Sequence, residues 1–314
     1  MFAILSVITP IFAIIGLGYF LARRDFLPQP MLPLLSKLVL FCLIPALTFK
    51  TVAQLDFSKV LAWDFLGVYA VGALLAQLVA LLVFKGALKQ PLSDAAVKAM
   101  GVSLPNSIFI GYPIVVQAFG EEWGHTFAFA VMVENIVILP SILIMAELGK
   151  RRAEATSSRL IHLLGGISKR VATNPVIIAI TCGVLVSLSG LELPAVAVRT
   201  LTVLGNAAGG IALLVIGGSL VGNPIRGNIR DVSLVSVTKL LIHPLMVVLV
   251  LMVWPPFNPT LQDIVIVYAA LPMAAIFPII GSNYGLGKFC ASSLVATTIS
   301  SFVTLTIVLT LVLG

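Results

Sequence analysis

The sequence predicts an all-α membrane protein of ten transmembrane helices, built as a 5+5 inverted repeat in which helices 4 and 9 are broken and cross. Three observations predict it. The 314 residues are 60% apolar and 10% charged, with a mean hydropathy of +1.14, against about 25% charged in an ordinary soluble domain. The apolar residues fall into ten runs, each near the roughly 20 residues that a bilayer span needs. Proline-containing dipeptides recur in the two halves at nearly equal offsets. Such a composition excludes a water-soluble enzyme, and the spans leave only short connections, with no room for an appended soluble domain or a nucleotide-binding cassette. Any work done uses an existing gradient or none.

Taken in order, the spans of the first half are 4–22, 32–50, 62–84, 95–118 and 126–146, and those of the second are 174–191, 198–221, 232–253, 261–284 and 290–313. Residues 1–146 form one five-helix repeat, 147–173 a polar cytoplasmic linker and 174–314 the second repeat. The first span lacks a basic leader and is too long for a cleaved signal, so it is expected to be retained. The net charge of +7 does not point to nucleic acid, because the basic residues sit between apolar runs. Loops after the odd-numbered spans hold fourteen Lys and Arg, against Lys50, Lys59 and Arg199 on the other face. That bias predicts a plasma-membrane (bacterial inner-membrane) protein with both termini outside. Lys150 to Arg152 read as a topology signal or a contact with anionic lipid. Cys42, Cys182 and Cys290 are single and unpatterned and read as small core residues.

Thr9-Pro10 aligns with Asn174-Pro175 at an offset of 165, and Leu104-Pro105 with Leu271-Pro272 at 167. Five spans per repeat is an odd number, so the second copy enters from the opposite side, an arrangement associated with alternating access.

The fourth span, SLPNSIFIGYPIV, and the ninth, ALPMAAIFPIIGSNYG, each carry two prolines, Pro105 with Pro113 and Pro272 with Pro278, and Gly111 lies beside the first pair. Proline removes a backbone donor and clashes one turn back, which favours a break. Backbone groups freed within hydrocarbon must be satisfied by protein, water or a ligand. Two such breaks meeting near mid-membrane set half-helix N-termini, suited to a carboxylate, beside half-helix C-termini. Asn106, Ser107 and Tyr112 in the fourth span, with Ser282, Asn283 and Tyr284 in the ninth, are the candidate substrate-binding residues. The competing reading is a pair of kinks capped by Asn and Ser.

Charges within the spans are the candidate coupling residues. Glu134 lies about 12 Å into the fifth span at 1.5 Å per residue, either as a proton carrier or as a neutral or ion-paired structural acid. Lys239 and His243 stand four apart on one face of the eighth span. Snorkelling competes for Lys239 and for Lys37, and backbone-bonded packing competes for His243. Asp94 and Lys98 have the spacing of an exposed helical pair. In the seventh span Gly205 with Gly209, and Gly218 with Gly222, have GxxxG spacing, which predicts close helix packing. Asn206 is a candidate interhelical contact there. No HExxH, GxSxG, Walker A or metal-ligand cluster occurs in the sequence, so no enzyme is expected.

LVLFCLIPALTFKTVA in the second span, LGNAAGGIALLVIGGSLV in the seventh and ALPMAAIFPIIGSNYG in the ninth resemble the matching segments of the auxin efflux carrier family. That family includes plant PIN-type carriers and bacterial malonate and malate permeases. The resemblance implies a scaffold of spans 1, 2, 6 and 7, which dimerises, and a mobile transport domain of spans 3–5 and 8–10 that moves like an elevator. It maps the crossover asparagine to Asn106 and the crossover prolines to Pro105 or Pro113 and to Pro272 or Pro278. The short central loop points to the bacterial branch, and Met273 stands where plant carriers often have a polar residue. The expected function is secondary active transport of a small organic anion, a mono- or dicarboxylate. H⁺ and Na⁺ are the candidate symported coupling ions, no other cofactor is expected, and the partners are the bilayer and a second copy. A carboxylate receptor without net transport, a passive channel and an efflux carrier for a hydrophobic weak acid are the alternatives.

Overall fold

The computed structural model describes residues 2–54, 62–154, 165–166, 168–169, 171–222 and 229–314. Among the described residues every regular element is helical: α1 (Phe2–Arg23), α2 (Met31–Ala53), α3 (Trp63–Ala87), α4 (Leu92–Ser103), α5 (Ser107–Phe119), α6 (Glu121–Lys150), α7 (Pro175–Ser189), α8 (Ala195–Ser219), α9 (Ile229–Val253), α10 (Pro259–Ala270), α11 (Phe277–Ser282) and α12 (Gly287–Leu313). Seven of them, α1, α2, α3, α6, α8, α9 and α12, contain a stretch long and apolar enough to cross a membrane. Two of the expected spans, 95–118 and 261–284, are each divided, into α4 with α5 and α10 with α11. Lys59, Arg159, Arg170, Arg226 and, within the 147–173 linker, residues 155–164 lie outside the described residues.

Local sequence sets several helix ends. Asn174 caps α7 by accepting from the amides of Val176 at 2.9 Å and Ile177 at 3.4 Å, with Pro175 in the first turn, where no amide is needed. Asn258 and Pro259 start α10 in the same way. The equivalence of Thr9-Pro10 with Asn174-Pro175 is not matched in place, because Pro10 lies inside α1 while Pro175 opens α7. Leu104-Pro105 and Leu271-Pro272 do correspond, each following directly on a helix end.

The chain divides into two compact units, and each draws on both halves of the sequence. The first comprises Met1–Trp63, Ile108–Phe129 and Arg170–Gly222. In it α1 packs on α8, α8 on α2 and α2 on α7. Gly217 lets α1 and α8 touch along their backbones, for a Cβ there would overlap the backbone of Ile15 and Tyr19. Gly205 meets Leu47 of α2, and Gly218 meets Leu32. The small residues of α8 therefore serve packing within this chain, while Asn206 is exposed. Cys42 and Cys182 are also exposed, on apolar helices, which corrects their reading as core residues; Cys290 is buried.

The second unit comprises Asp64–Ser107, Ala130–Lys169 and Asn223–Gly314. Here α4 packs on α6 and α9, and α12 packs on α9, α10 and α11. Its core holds an ion pair that helical spacing did not reveal. Lys98 is buried and paired with Asp231 of α9, not with Asp94, whose carboxylate accepts from Ser93 at 3.0 Å. Gln90 closes the triangle, accepting from Lys98 at 2.8 Å and donating to Asp231 at 3.1 Å. The rings of Phe84 and Phe289 flank the ammonium at 5.3 and 4.9 Å. A spacing rule sees only partners on one helix, and this partner is 133 residues away.

Two stability predictions follow from these contacts. Lys98→Met leaves a buried carboxylate uncompensated and is expected to cost about 3–5 kcal/mol, read as a lowered thermal unfolding midpoint in detergent. The double variant Lys98→Met/Asp231→Leu is expected to recover most of the loss, and an unchanged midpoint for the single variant contradicts the pair. Gly217→Val is expected to lower the midpoint by overpacking, at about 1–3 kcal/mol. Gly210→Ala, with nothing within 4 Å of the added carbon, is expected to leave it unchanged.

Candidate functional site

The site is built where two helices of the second unit stop. A residue that precedes proline is driven out of helical conformation. Leu104, before Pro105, lies at φ −105, ψ 100 and ends α4. Leu271, before Pro272, lies at φ −60, ψ 153 and ends α10. The two interruptions run antiparallel against each other, with Pro105 facing Met273. The Asn106 amide donates to the Pro272 carbonyl at 2.8 Å, and the Ala274 amide donates to the Leu104 carbonyl at 2.9 Å. In that pattern neither residue 105 nor 272 is asked for an N–H, so both prolines sit where proline removes no bond.

The other two prolines break nothing. Pro278 stands in the first turn of α11, where the missing amide has no intrahelical partner in any case, and Pro113 lies within α5 directly after a π-turn. Gly111 closes a π-helical turn, Ser107–Gly111, that leads into Pro113. The same device recurs. π-Turns over Val39–Leu43, Ser107–Gly111, Glu134–Ile138 and Thr238–Ile242 each end two residues before a proline, at Pro45, Pro113, Pro140 and Pro244. The wider turn absorbs the absent donor and gives the ring space, so the helix continues.

Three of these turns carry the polar groups of the site. Glu134 opens one, Ser107 opens another and Lys239 is second in a third. All three side chains are buried in the second unit. The Glu134 carboxylate accepts from the Ser107 hydroxyl and, at 2.8 Å, from the Tyr69 hydroxyl of α3. Lys239 donates to the Ala269 carbonyl in the last turn of α10 at 3.2 Å, placing a cation at a helix C-terminus. Lys239 and His243 meet at 2.7 Å through Nδ1. An ammonium has no acceptor, so Nδ1 accepts and the ring proton lies on Nε2, which has no hydrogen-bond partner among the described residues. The Tyr69 ring lies 6.3 Å from both His243 and Tyr268.

Of the residues singled out from sequence, Pro105, Asn106, Ser107, Pro272, Glu134, Lys239 and His243 come together in the second unit, and Asn106 is buried at the break itself. Tyr112 belongs to the first unit, where its ring packs edge-on to Phe127 at 5.4 Å. Ser282 and Asn283 are exposed at the end of α11, Ser282 donating to the Ile279 carbonyl at 2.6 Å, and Tyr284 follows in the same turn. Snorkelling of Lys239 is corrected, since it is fully buried with two partners, and His243 bonds to a side chain and not to backbone. Lys37 is exposed. Tyr69 was not anticipated, because a lone tyrosine in an apolar span carries no pattern. No group of three or more His, Cys, Asp or Glu side chains able to hold a metal occurs among the described residues.

Comparison with known proteins gives concordant results. The profile of the membrane transport protein family matches residues 3–309. A protein of Rhizobium meliloti (strain 1021) named "Putative malonate transporter" is 25% identical over 310 residues, covering 96% of this chain and 94% of its own. The "Uncharacterized transporter YfdV" of Escherichia coli (strain K12) is 24% identical over 94% of this chain and 92% of its own. An "Uncharacterized transporter" of Methanothermobacter thermautotrophicus is 25% identical over 94% of each.

Proposed function

We propose that this chain, which belongs to the membrane transport protein family (the auxin efflux carrier family), is a secondary transporter of a small organic anion that binds at the paired breaks. Membership makes it an integral membrane transporter and not an enzyme. The anion class is supported chiefly by one observation: two helix interruptions are held against each other in the interior of one unit, with buried Asn106 between them. Ser107, in the same unit, opens a helix one residue later, and its own amide has no intrahelical acceptor. That is a setting for a carboxylate, and the carboxamide of Asn106 can add a directional donor. A relative named for malonate points to the same class, so a mono- or dicarboxylate of malonate size is the substrate proposed.

Alternating access is the proposed mechanism, with the second unit as the moving body and the first as the scaffold. The grouping of α1, α2, α7 and α8 in one unit, and of α3, α4 and α9 to α12 in the other, supports an elevator. The membership of α5 and the start of α6 in the first unit departs from the division that family resemblance implies. The matching break positions in spans four and nine support a 5+5 inverted repeat with crossing helices. A plasma-membrane homodimer with both termini outside completes the proposal.

The test is uptake of radiolabelled malonate by purified protein in sealed proteoliposomes. Saturable uptake, accelerated by malonate on the trans side, is expected. Non-saturating flux identifies a channel, and binding without flux a receptor; either overturns the carrier reading. Asn106→Ala removes a hydrogen bond to a charged group, about 1.5–3 kcal/mol, and is expected to raise the apparent KM about tenfold or more. Kinetics equal to the parent's would take Asn106 out of the site.

A further inference from the structure

Ser107 stands between two things that a coupled carrier must connect. Its backbone directly follows Asn106 at the break, and its hydroxyl donates to the buried carboxylate of Glu134. A hydroxyl has one proton and can donate it in one direction at a time, while its oxygen can also accept. An ionised carboxylate can only accept, so ionised Glu134 claims the protons of both Ser107 and Tyr69. Protonated Glu134 keeps one acceptor oxygen but gains an O–H that must find an acceptor of its own, and a buried O–H left without one is costly.

We propose that Ser107 is a hydrogen-bond switch that couples protonation of Glu134 to anion binding at the breaks. When Glu134 takes up a proton from solution, its O–H donates to the Ser107 oxygen, and the Ser107 proton turns toward the break to serve a bound carboxylate. Glu134 ionisation withdraws that donor and weakens the anion's hold. Linkage makes the effect reciprocal: a bound anion favours the protonated acid by the same factor, which yields proton-anion symport. Ser107 acts through Glu134 and the anion as a positioning residue, and the proposal rests on the reading of the breaks as the anion site.

The surroundings leave Ser107 as the adjustable partner. The α3 face presents Tyr69, α9 presents Lys239 and His243, and α10 presents Tyr268 behind Tyr69. The hydrogen bonds of Lys239 go to Ala269 and His243. On α4, Lys98 is held by Asp231. Of the two hydroxyls on Glu134, the Tyr69 ring is fixed in a cluster of aromatic side chains. The Ser107 hydroxyl turns about a single bond next to the break.

The test measures malonate affinity of the purified full chain by titration calorimetry, over a pH range in which both carboxyls of malonate stay ionised. The parent protein is expected to bind more tightly as pH falls, since acid supplies the proton on Glu134. Glu134→Gln, whose amide donates to Ser107 at every pH, is expected to bind at least about fivefold more tightly than the parent in alkali and to lose the pH dependence. In a Ser107→Ala background the same Glu134→Gln change is expected to give little or no gain, and Ser107→Thr to restore it. An equal gain in both backgrounds assigns the coupling to charge alone and overturns the switch, as does a pH-independent affinity in the parent. Failure of the parent to bind malonate or any other small carboxylate at any pH sinks instead the reading of the breaks as the anion site.

Discussion

A proline inside lipid costs a backbone donor that no water replaces, and the fold of the second unit follows from how each loss is absorbed. Hydrocarbon leaves every freed carbonyl to find a partner within the protein. The chain uses two solutions. Where a proline follows a stretch that widens into a π-turn, the helix continues and the turn re-aims its side chains. Where Leu104 and Leu271 are driven into extended conformation, the helix stops and the exposed backbone pairs with the other interruption. The second solution requires two breaks at matching depth, since either alone would leave its amides unpaired.

Chemistry accumulates where these solutions meet. The π-turns before Pro113, Pro140 and Pro244 deliver Ser107, Glu134 and Lys239 into one buried cluster. An acid and a base placed there together offset part of the desolvation that either would meet alone in a low-dielectric interior. Their hydrogen bonds are divided: Glu134 looks to hydroxyls, and Lys239 to a helix end and a ring nitrogen. That division keeps both groups near the breaks without locking one against the other. It gives the unit a titratable site next to the place where a carboxylate is proposed to bind.

Much of this was legible in the sequence, for identifiable reasons. Local rules act through bonded neighbours, so the paired prolines of spans four and nine announced a break in each, and Glu134 announced itself as an acid deep in an apolar run. Which proline of each pair ends a helix was not legible, because Pro113 and Pro278 differ from Pro105 and Pro272 only in where they stand relative to a helix start. Partners distant in the chain stayed hidden: Tyr69 for Glu134, and Asp231 for Lys98. Proximity in sequence groups Ser282 and Asn283 with the site, yet one short helix carries them to an exposed turn. The depth and length of Lys239 would let it reach the surface; the Ala269 carbonyl and His243 hold it inside.

The proposed site depends most on the pairing of the two interruptions, which cysteine crosslinking measures directly. Residues 105 and 273 form the non-hydrogen-bonded pair of the antiparallel bridge, where backbones approach to about 4.5 Å between Cα atoms, within the span a disulfide bridges. With Cys42, Cys182 and Cys290 replaced by serine, Pro105→Cys/Met273→Cys is expected to form an intramolecular disulfide under mild oxidation in native membranes. It is read as loss of both thiols to maleimide labelling that returns on reduction. Two thiols that stay free under the same oxidation, in protein that still binds malonate, would contradict the paired breaks and the site built on them.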